Sequence, residues 1–132
     1  MKIINRPPKL YRIIQLFFPE YDFDTVHAFV FGDTIYSKYN PLPEDIAVHE
    51  SVHIIQMRYS KFYAVFHFLR YFFSKEFRVR TELPAFREQY QYLKFHGMNA
   101  YDAAKRFARA LSEEKVYGNK TSYEEALKYI LS

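Results

Sequence analysis

The chain has 132 residues, enough for one domain with a substantial core but not for a second lobe. Hydrophobic residues make up 49% and aromatic residues 20%, which is typical of a globular rather than a disordered protein. Because cysteine is absent, the sequence excludes a disulfide framework and thiolate metal ligands, so histidine and carboxylate are the available metal ligands. We expect a single domain spanning residues 1–132.

The net charge of +4 is concentrated between Arg58 and Arg80, where six Lys or Arg residues accompany one Glu. Such a cluster is able to contact nucleic acid, anionic lipid or an acidic partner. The more common origin is the solvated side of an aromatic helix, so nucleic acid is not the expected partner.

No targeting or membrane segment is predicted. Residues Met1 to Pro8 lack the apolar core and small-residue cleavage site of a secretory signal. The most apolar run, Phe62 to Phe73, is interrupted by charge and is too short to span a bilayer. We expect a soluble, cytoplasmic protein without a transmembrane segment.

Two elements are predicted before residue 40. Apolar residues at helical spacing between Pro8 and Pro19 indicate a short amphipathic helix. β-Branched and aromatic residues from Thr25 to Phe31 and from Thr34 to Tyr36 then flank Gly32-Asp33, which predicts a β-hairpin with a type II′ turn. We expect this hairpin to be the only sheet of consequence.

The rest of the chain is predicted to be helical, so the expected fold class is α+β and mainly helical, a small β-hairpin followed by four to five helices. The first of these helices runs from about Pro43 to Tyr59 and carries the candidate motif. A second helix, Lys61 to about Phe73, has one apolar face formed by Phe62, Val65, Phe66, Leu69 and Phe73. The remaining predictions are a charged joint from Ser74 to Arg80, a helix from Thr81 to His96 closed by Gly97, a helix from Ala100 to Leu111 capped by Asn99, and a last helix opened by a Ser122/Glu125 capping box.

The candidate motif is His49-Glu50-Ser51-Val52-His53. Two histidines four residues apart lie on one helical face, so both imidazoles can bind one metal ion. The neighbouring Glu50 can lean towards a metal-bound water and act as a general base. This pattern predicts a hydrolytic zinc site.

Catalytic zinc usually has three protein ligands, and the third must here be His, Asp or Glu. Glu82 is the best placed, because a helix antiparallel to the motif helix would bring it to the histidines and Ala85 would allow close packing. Glu88 is a second candidate, but it lies further round the same helix and is expected to face water or a basic neighbour. His67 and His96 are weaker candidates, since a single His in an aromatic helix or at a helix end is more often a packing or capping residue.

The motif followed by Gln56, the segment from Phe77 to Tyr90 and a C-terminal block from Leu111 to Ala126 together resemble the small zincin-type peptidase-like proteins of phages and prophages, which are similar to minimal gluzincins. The likeness runs from about Phe31 to Ile130. It implies a minimal zincin-like domain, in the host cytoplasm if phage-encoded, with His49, His53 and Glu82 as zinc ligands and Glu50 as the catalytic base. Pro84 departs from the uninterrupted helix that the pattern has there.

Three further residues have candidate roles. Tyr117, beside Gly118, could supply the donor that a developing oxyanion needs, or be a structural tyrosine. Ile35 and its strand neighbours could offer an edge to an extended peptide, or only cover the core. Gln56 shares the ligand stripe and either braces a ligand or is a surface or interhelical glutamine.

Three functions of different classes follow. The favoured one is a zinc-dependent peptidase acting on a peptide or protein substrate. The second is a catalytically silent protein in which zinc joins two helices and the fold acts as a scaffold or binding module. The third is a nucleic-acid or membrane-surface binder that uses the basic aromatic segment from residue 58 to residue 80.

Overall fold

The computed structural model describes residues 1–8, 11–17, 19, 28–60 and 64–132, and Leu10, Thr25 to His27 and the predicted helix start at Lys61 and Phe62 lie outside them. The predicted class, α+β and mainly helical, is confirmed. In chain order the elements are β1 (Lys2–Ile4), α1 (Tyr11–Phe17), β2 (Ala28–Phe31), β3 (Thr34–Ser37), α2 (Glu44–Ser60), α3 (Ala64–Phe73), α4 (Lys75–Phe95), α5 (Ala100–Leu111), α6 (Glu114–Tyr117) and α7 (Tyr123–Leu131).

The predicted hairpin is present, with β2 antiparallel to β3 and Phe31 paired with Thr34 across the Gly32-Asp33 turn. Gly32 has a φ of 61°, as the first position of such a turn requires. The hairpin belongs to the one sheet that the described residues form, as expected, but that sheet has a further strand, because β1 pairs in parallel with β3 and gives the order β1-β3-β2. β3 is therefore the central strand of this sheet, and the prediction that Ile35 lies at an exposed edge is wrong.

Helices α2 and α4 run antiparallel, as predicted, and polar side chains join them at both ends. Gln89 donates to Asp45 at 2.8 Å, and Tyr92 donates to Glu44. At the other end Gln56 donates to the carbonyl of Thr81 at 3.0 Å. Between these contacts Ala85 is fully buried, because its small side chain lets the two helices approach closely, as predicted.

The predicted charged joint from Ser74 to Arg80 is wrong. Ser74 is instead the N-cap of α4, its hydroxyl accepting from the amide of Phe77, and the helix continues through Pro84. Although it is charged, Arg78 is fully buried. Its guanidinium donates to the carbonyls of Tyr71 at 3.0 Å, Phe72 at 2.8 Å and Val116, so it caps α3 and fixes α6 to α4.

Helix α3 is apolar on two sides. Phe68 and Phe72 are buried against the sheet and α2. The apolar face that the sequence predicts for this helix is exposed, as its described residues Val65, Phe66, Leu69 and Phe73 show. Within the described part of the chain, no helix combines the length and hydrophobicity needed to cross a membrane.

The C-terminal helices end and begin where the sequence predicts. Gly97, with φ of 65°, follows the end of α4, and the amide of Met98 donates to the carbonyl of Leu93 in a Schellman-type closure. Asn99 caps α5, and Ser122 with Glu125 forms the capping box of α7. The short α6 was not predicted. Tyr117, which was expected in a loop, is instead the last residue of this helical turn.

Replacing Arg78 by Met should lower the free energy of unfolding by about 3 kcal/mol, because Met keeps the volume but leaves buried carbonyls without donors. Urea denaturation measures the change. Arg80→Met is the matched control, since Arg80 is on the same helix but exposed, and its ion-pair partner among the described residues is the equally exposed Glu76. It should change stability little. Equal stability of the Arg78 variant and the wild type would contradict the bracing role.

Candidate metal centre

His49, His53 and Glu82 converge on one point between α2 and α4, as the sequence predicts. The Nε2 atom of His49 lies 3.0 Å from Oε2 of Glu82 and 3.2 Å from Nε2 of His53. The Nε2 atom of His53 lies 3.5 Å from the same carboxylate oxygen. Each side chain is buried, and within the described residues this is the one group of three with metal-ligand geometry.

These three atoms fit a zinc ion. Tetrahedral zinc with bonds of about 2.0–2.1 Å places neighbouring ligand atoms about 3.4 Å apart. The observed separations, from 3.0 to 3.5 Å, bracket that value. Two imidazole nitrogens and one carboxylate oxygen are also a donor set that zinc accepts, and they leave a fourth position for water or substrate.

Gln56 fixes the orientation of His53. Its Oε1 lies 3.0 Å from Nδ1 of His53, and its Nε2 donates to the carbonyl of Thr81. Because the amide oxygen can only accept, Nδ1 keeps its proton when the imidazole is in the neutral form that binds metal, and the lone pair of Nε2 then points to the other candidate ligands. Gln56 therefore shows two of the predicted arrangements at once, because it contacts His53 and also joins α2 to α4.

Tyr71 fixes the orientation of Glu82. Its hydroxyl donates to Oε1, so that Oε2 is the oxygen nearest the histidines. Sequence reasoning missed Tyr71, because in α3 it is one aromatic residue among several and nothing in the spacing marks it. The only available signal was its place on the inner stripe of α3, next to Phe68 and Phe72.

The charges of the ligand set are strongly coupled. Burial lowers the pKa of His53, but the charge and hydrogen bond of Glu82 outweigh it and raise that pKa to about 9. Burial also opposes the charged form of Glu82, yet the two histidines hold its pKa well below the usual range. At neutral pH and without a metal, His53 is therefore an imidazolium and Glu82 a carboxylate. The positive charge of His53 then lies where a metal cation would be bound.

Glu50 lies beside the ligands but is not one of them. It is 7% exposed and, together with the two histidines and Glu82, lines a cavity. Burial raises its pKa, the nearby histidines oppose the rise, and Glu82 adds to it. No described residue forms a hydrogen bond with its carboxylate, so its oxygens are free to exchange protons with a bound molecule.

A cavity of about 390 Å³ opens beside the ligands and Glu50, within the range of small-ligand pockets. Tyr117 lines it from the end of α6, so the structure brings this predicted residue to the site. Phe86 also lines it and packs its ring 4.5 Å from that of His49. Most of the remaining lining is apolar and aromatic, including Phe29, Met57, Phe68, Phe72, Phe107 and Val116.

The alternative ligands lie elsewhere. Glu88 is exposed, as expected from its position on α4. His96 follows the end of α4 and donates from Nδ1 to the carbonyl of Tyr92, a capping role. His67 lines the cavity but packs against Phe77, and it is outside the group of three. Of the residues considered for the third ligand, Glu82 is therefore the one that the structure places with the two histidines.

Comparison of the chain with protein-family models, with curated proteins and with solved structures found no match. The resemblance to small zincins therefore stays a prediction. The function of the site has to be argued from its own geometry.

Tyr71→Phe should weaken zinc binding about 10-fold, because Glu82 loses the donor that orients it while the ring is kept. Competition with a chromophoric chelator measures the dissociation constant. Tyr101→Phe, at an exposed position on α5, is the control and should leave affinity unchanged. Wild-type affinity in the Tyr71 variant would show that the contact does not support the ligand set.

Proposed function

We propose that the protein is a zinc-dependent peptidase, with His49, His53 and Glu82 as the metal ligands and Glu50 as the general base. The observation that carries the proposal is the joint geometry of the four side chains. Three ligand atoms lie at zinc-like separations, and a fourth, unbonded carboxylate lies beside them in a cavity. A purely structural zinc site needs no such fourth group and no adjacent cavity.

When bound, zinc would supply Lewis acidity, lowering the pKa of a water to about 7 and polarising the scissile carbonyl. Glu50 would accept the proton from the attacking water and pass it to the leaving amine. Its raised pKa suits both steps. A carboxylate with a higher pKa accepts the proton of the water more readily, and the carboxylic acid so formed is still acidic enough to release that proton to an amine. Gln56 and Tyr71 hold the ligands still during the reaction.

The cavity lining favours a substrate with a bulky apolar side chain next to the scissile bond. Beyond the polar cluster, the walls offer aromatic and aliphatic surface with which such a side chain can replace water. Strand β2, at one edge of the described sheet, contributes Ala28, Phe29 and Val30 to these walls. An extended peptide would then pair with β2 and not with Ile35 and its strand neighbours, as first predicted.

Tyr117 is retained as the proposed oxyanion donor. Tyr117 lines the same cavity and ends a helical turn that is fixed to α4 through Arg78 and the carbonyl of Val116, which supports this role.

A host or cellular cytoplasm is retained as the proposed compartment.

A catalytically silent zinc scaffold is the second candidate. The observation in its favour is the deep burial of all three ligands, with Phe86 packed on His49. The two functions differ in what Glu50 does, because a scaffold has no use for a base.

Glu50→Gln should lower the rate of peptide hydrolysis at least about 100-fold, because the amide cannot accept the proton, while zinc content stays at the wild-type level. The assay uses fluorogenic peptides with Phe or Leu on either side of the cleaved bond, and metal analysis of the same samples. Glu88→Gln, exposed on α4, is the control and should keep full activity. Zinc-loaded wild-type protein that cleaves none of the peptides would favour the scaffold.

A further inference from the structure

Gln89 lies on the same stripe of α4 as Glu82, two turns further along the helix. It is 6% exposed and lines the cavity beside the candidate ligands. Neither the proposed metal site nor the proposed proton transfer uses it. Because a buried amide needs hydrogen-bond partners, Gln89 is a candidate contact for the molecule that enters this cavity.

Asp45 fixes the orientation of the Gln89 amide. The Nε2 atom of Gln89 donates to Oδ2 of Asp45 at 2.8 Å. Because a carboxylate accepts, the amide nitrogen has to face Asp45 and the amide oxygen has to face away from it. Asp45 is itself outside the cavity lining, so Oε1 is the polar atom that Gln89 presents to the cavity.

The amide oxygen is available to a ligand. Among the described residues, Asp45 is the hydrogen-bond partner of the Gln89 side chain, and that contact uses the nitrogen alone. A molecule that displaces water from this wall has to donate a hydrogen bond to Oε1, because a carbonyl oxygen left unpaired in a mostly apolar cavity is unfavourable.

We propose that Oε1 of Gln89 accepts a hydrogen bond from a backbone N–H of the bound peptide, so that Gln89 is a substrate-binding residue. The inference rests on the proposed peptidase function for the nature of the ligand. Every peptide residue except proline carries such a donor, and an extended peptide has to satisfy it on entering a cavity.

Helix geometry indicates which N–H this is. Asp45, which holds the Gln89 amide, precedes His49 by four residues and His53 by eight. The amide therefore lies about 6–12 Å from the two histidines along the axis of α2. An extended peptide covers about 3.4 Å per residue, so the donor belongs to a residue about two to three positions from the scissile bond. Proline at that position should bind poorly.

The competing explanation is that Gln89 only joins α4 to the first turn of α2. That role depends on the amide nitrogen and on Asp45. The proposed contact depends on the amide oxygen, so it responds to a change made in the peptide alone. An experiment that alters the N–H of the peptide separates the two explanations.

Peptide binding by the zinc-loaded Glu50→Gln protein tests the proposal, because this variant should hold a peptide without consuming it. The probe is a fluorescein-labelled peptide with Phe-Leu at its centre and alanines on both sides. A matched series replaces one N–H at a time by an ester oxygen, and fluorescence anisotropy measures each dissociation constant. An ester about two to three residues from the Phe-Leu bond should bind about 10-fold more weakly, because it cannot donate to Gln89.

Gln89→Met in the same protein keeps the volume and removes the acceptor. It should bind the parent peptide about 10-fold more weakly, and the same ester should then cost less than about 2-fold. Gln89→Asn, which withdraws the oxygen by one methylene, should behave in the same way. Glu88→Met is the matched control, because Glu88 is the exposed neighbour on α4, and it should show the full ester effect. Circular dichroism checks that every variant is folded.

Hydrolysis of the parent peptide by the zinc-loaded wild type is measured in parallel. Hydrolysis together with a flat ester series, or with ester effects that persist in both Gln89 variants, would overturn the Gln89 contact and leave the peptidase standing. An ester effect that disappears in the Gln89 variants, without hydrolysis by the wild type, would keep the contact and reject the peptidase. Absence of peptide binding by the zinc-loaded protein would overturn the contact.

Discussion

The close antiparallel packing of α2 on α4 is the constraint on which the site depends. Two histidines one turn apart on α2 need a third ligand from another element, and here α4 brings Glu82 to them. The buried Ala85 allows that approach three residues after Glu82, and polar contacts at both ends of the helix pair fix their register. A larger side chain at this position would separate the carboxylate from the imidazoles.

Three residues around the candidate ligands, Gln56, Tyr71 and Arg78, fix the positions of the side chains in the site. Gln56 selects the tautomer of His53, and Tyr71 selects the oxygen of Glu82 that faces the histidines. Arg78 ties the end of α3, which carries Tyr71, to α4 and to the turn that carries Tyr117. A buried cation with carbonyl acceptors thus organises two walls of the cavity. The candidate metal centre is consequently a product of three helices and not of the motif helix alone.

Local rules predicted the parts of this arrangement that depend on neighbours in sequence. The hairpin turn at Gly32, the closure of α4 at Gly97 and the capping box at Ser122 each depend on side chains within a few residues, and all three are present. The convergence of His49, His53 and Glu82 was also predictable, because the absence of cysteine and the spacing of the motif left few choices for a third ligand.

The remainder depends on contacts distant in sequence. The segment from Ser74 to Arg80 is charged, so its sequence predicts exposure to solvent. Arg78 is nevertheless buried, because carbonyls of α3 and α6 accept the hydrogen bonds of its guanidinium. β1 is a three-residue strand stabilised by β3, some thirty positions away, and its own sequence has no periodic signal. Tyr71 acquires its role only when α3 meets α4.

Anomalous scattering at the zinc edge, from crystals of protein purified without chelators, shows whether His49, His53 and Glu82 hold one zinc ion. We expect a single strong peak within bonding distance of Nε2 of both histidines and of the Glu82 carboxylate. A metal-free site after zinc supplementation, with both imidazoles bonded only to protein, would exclude the proposed zinc centre.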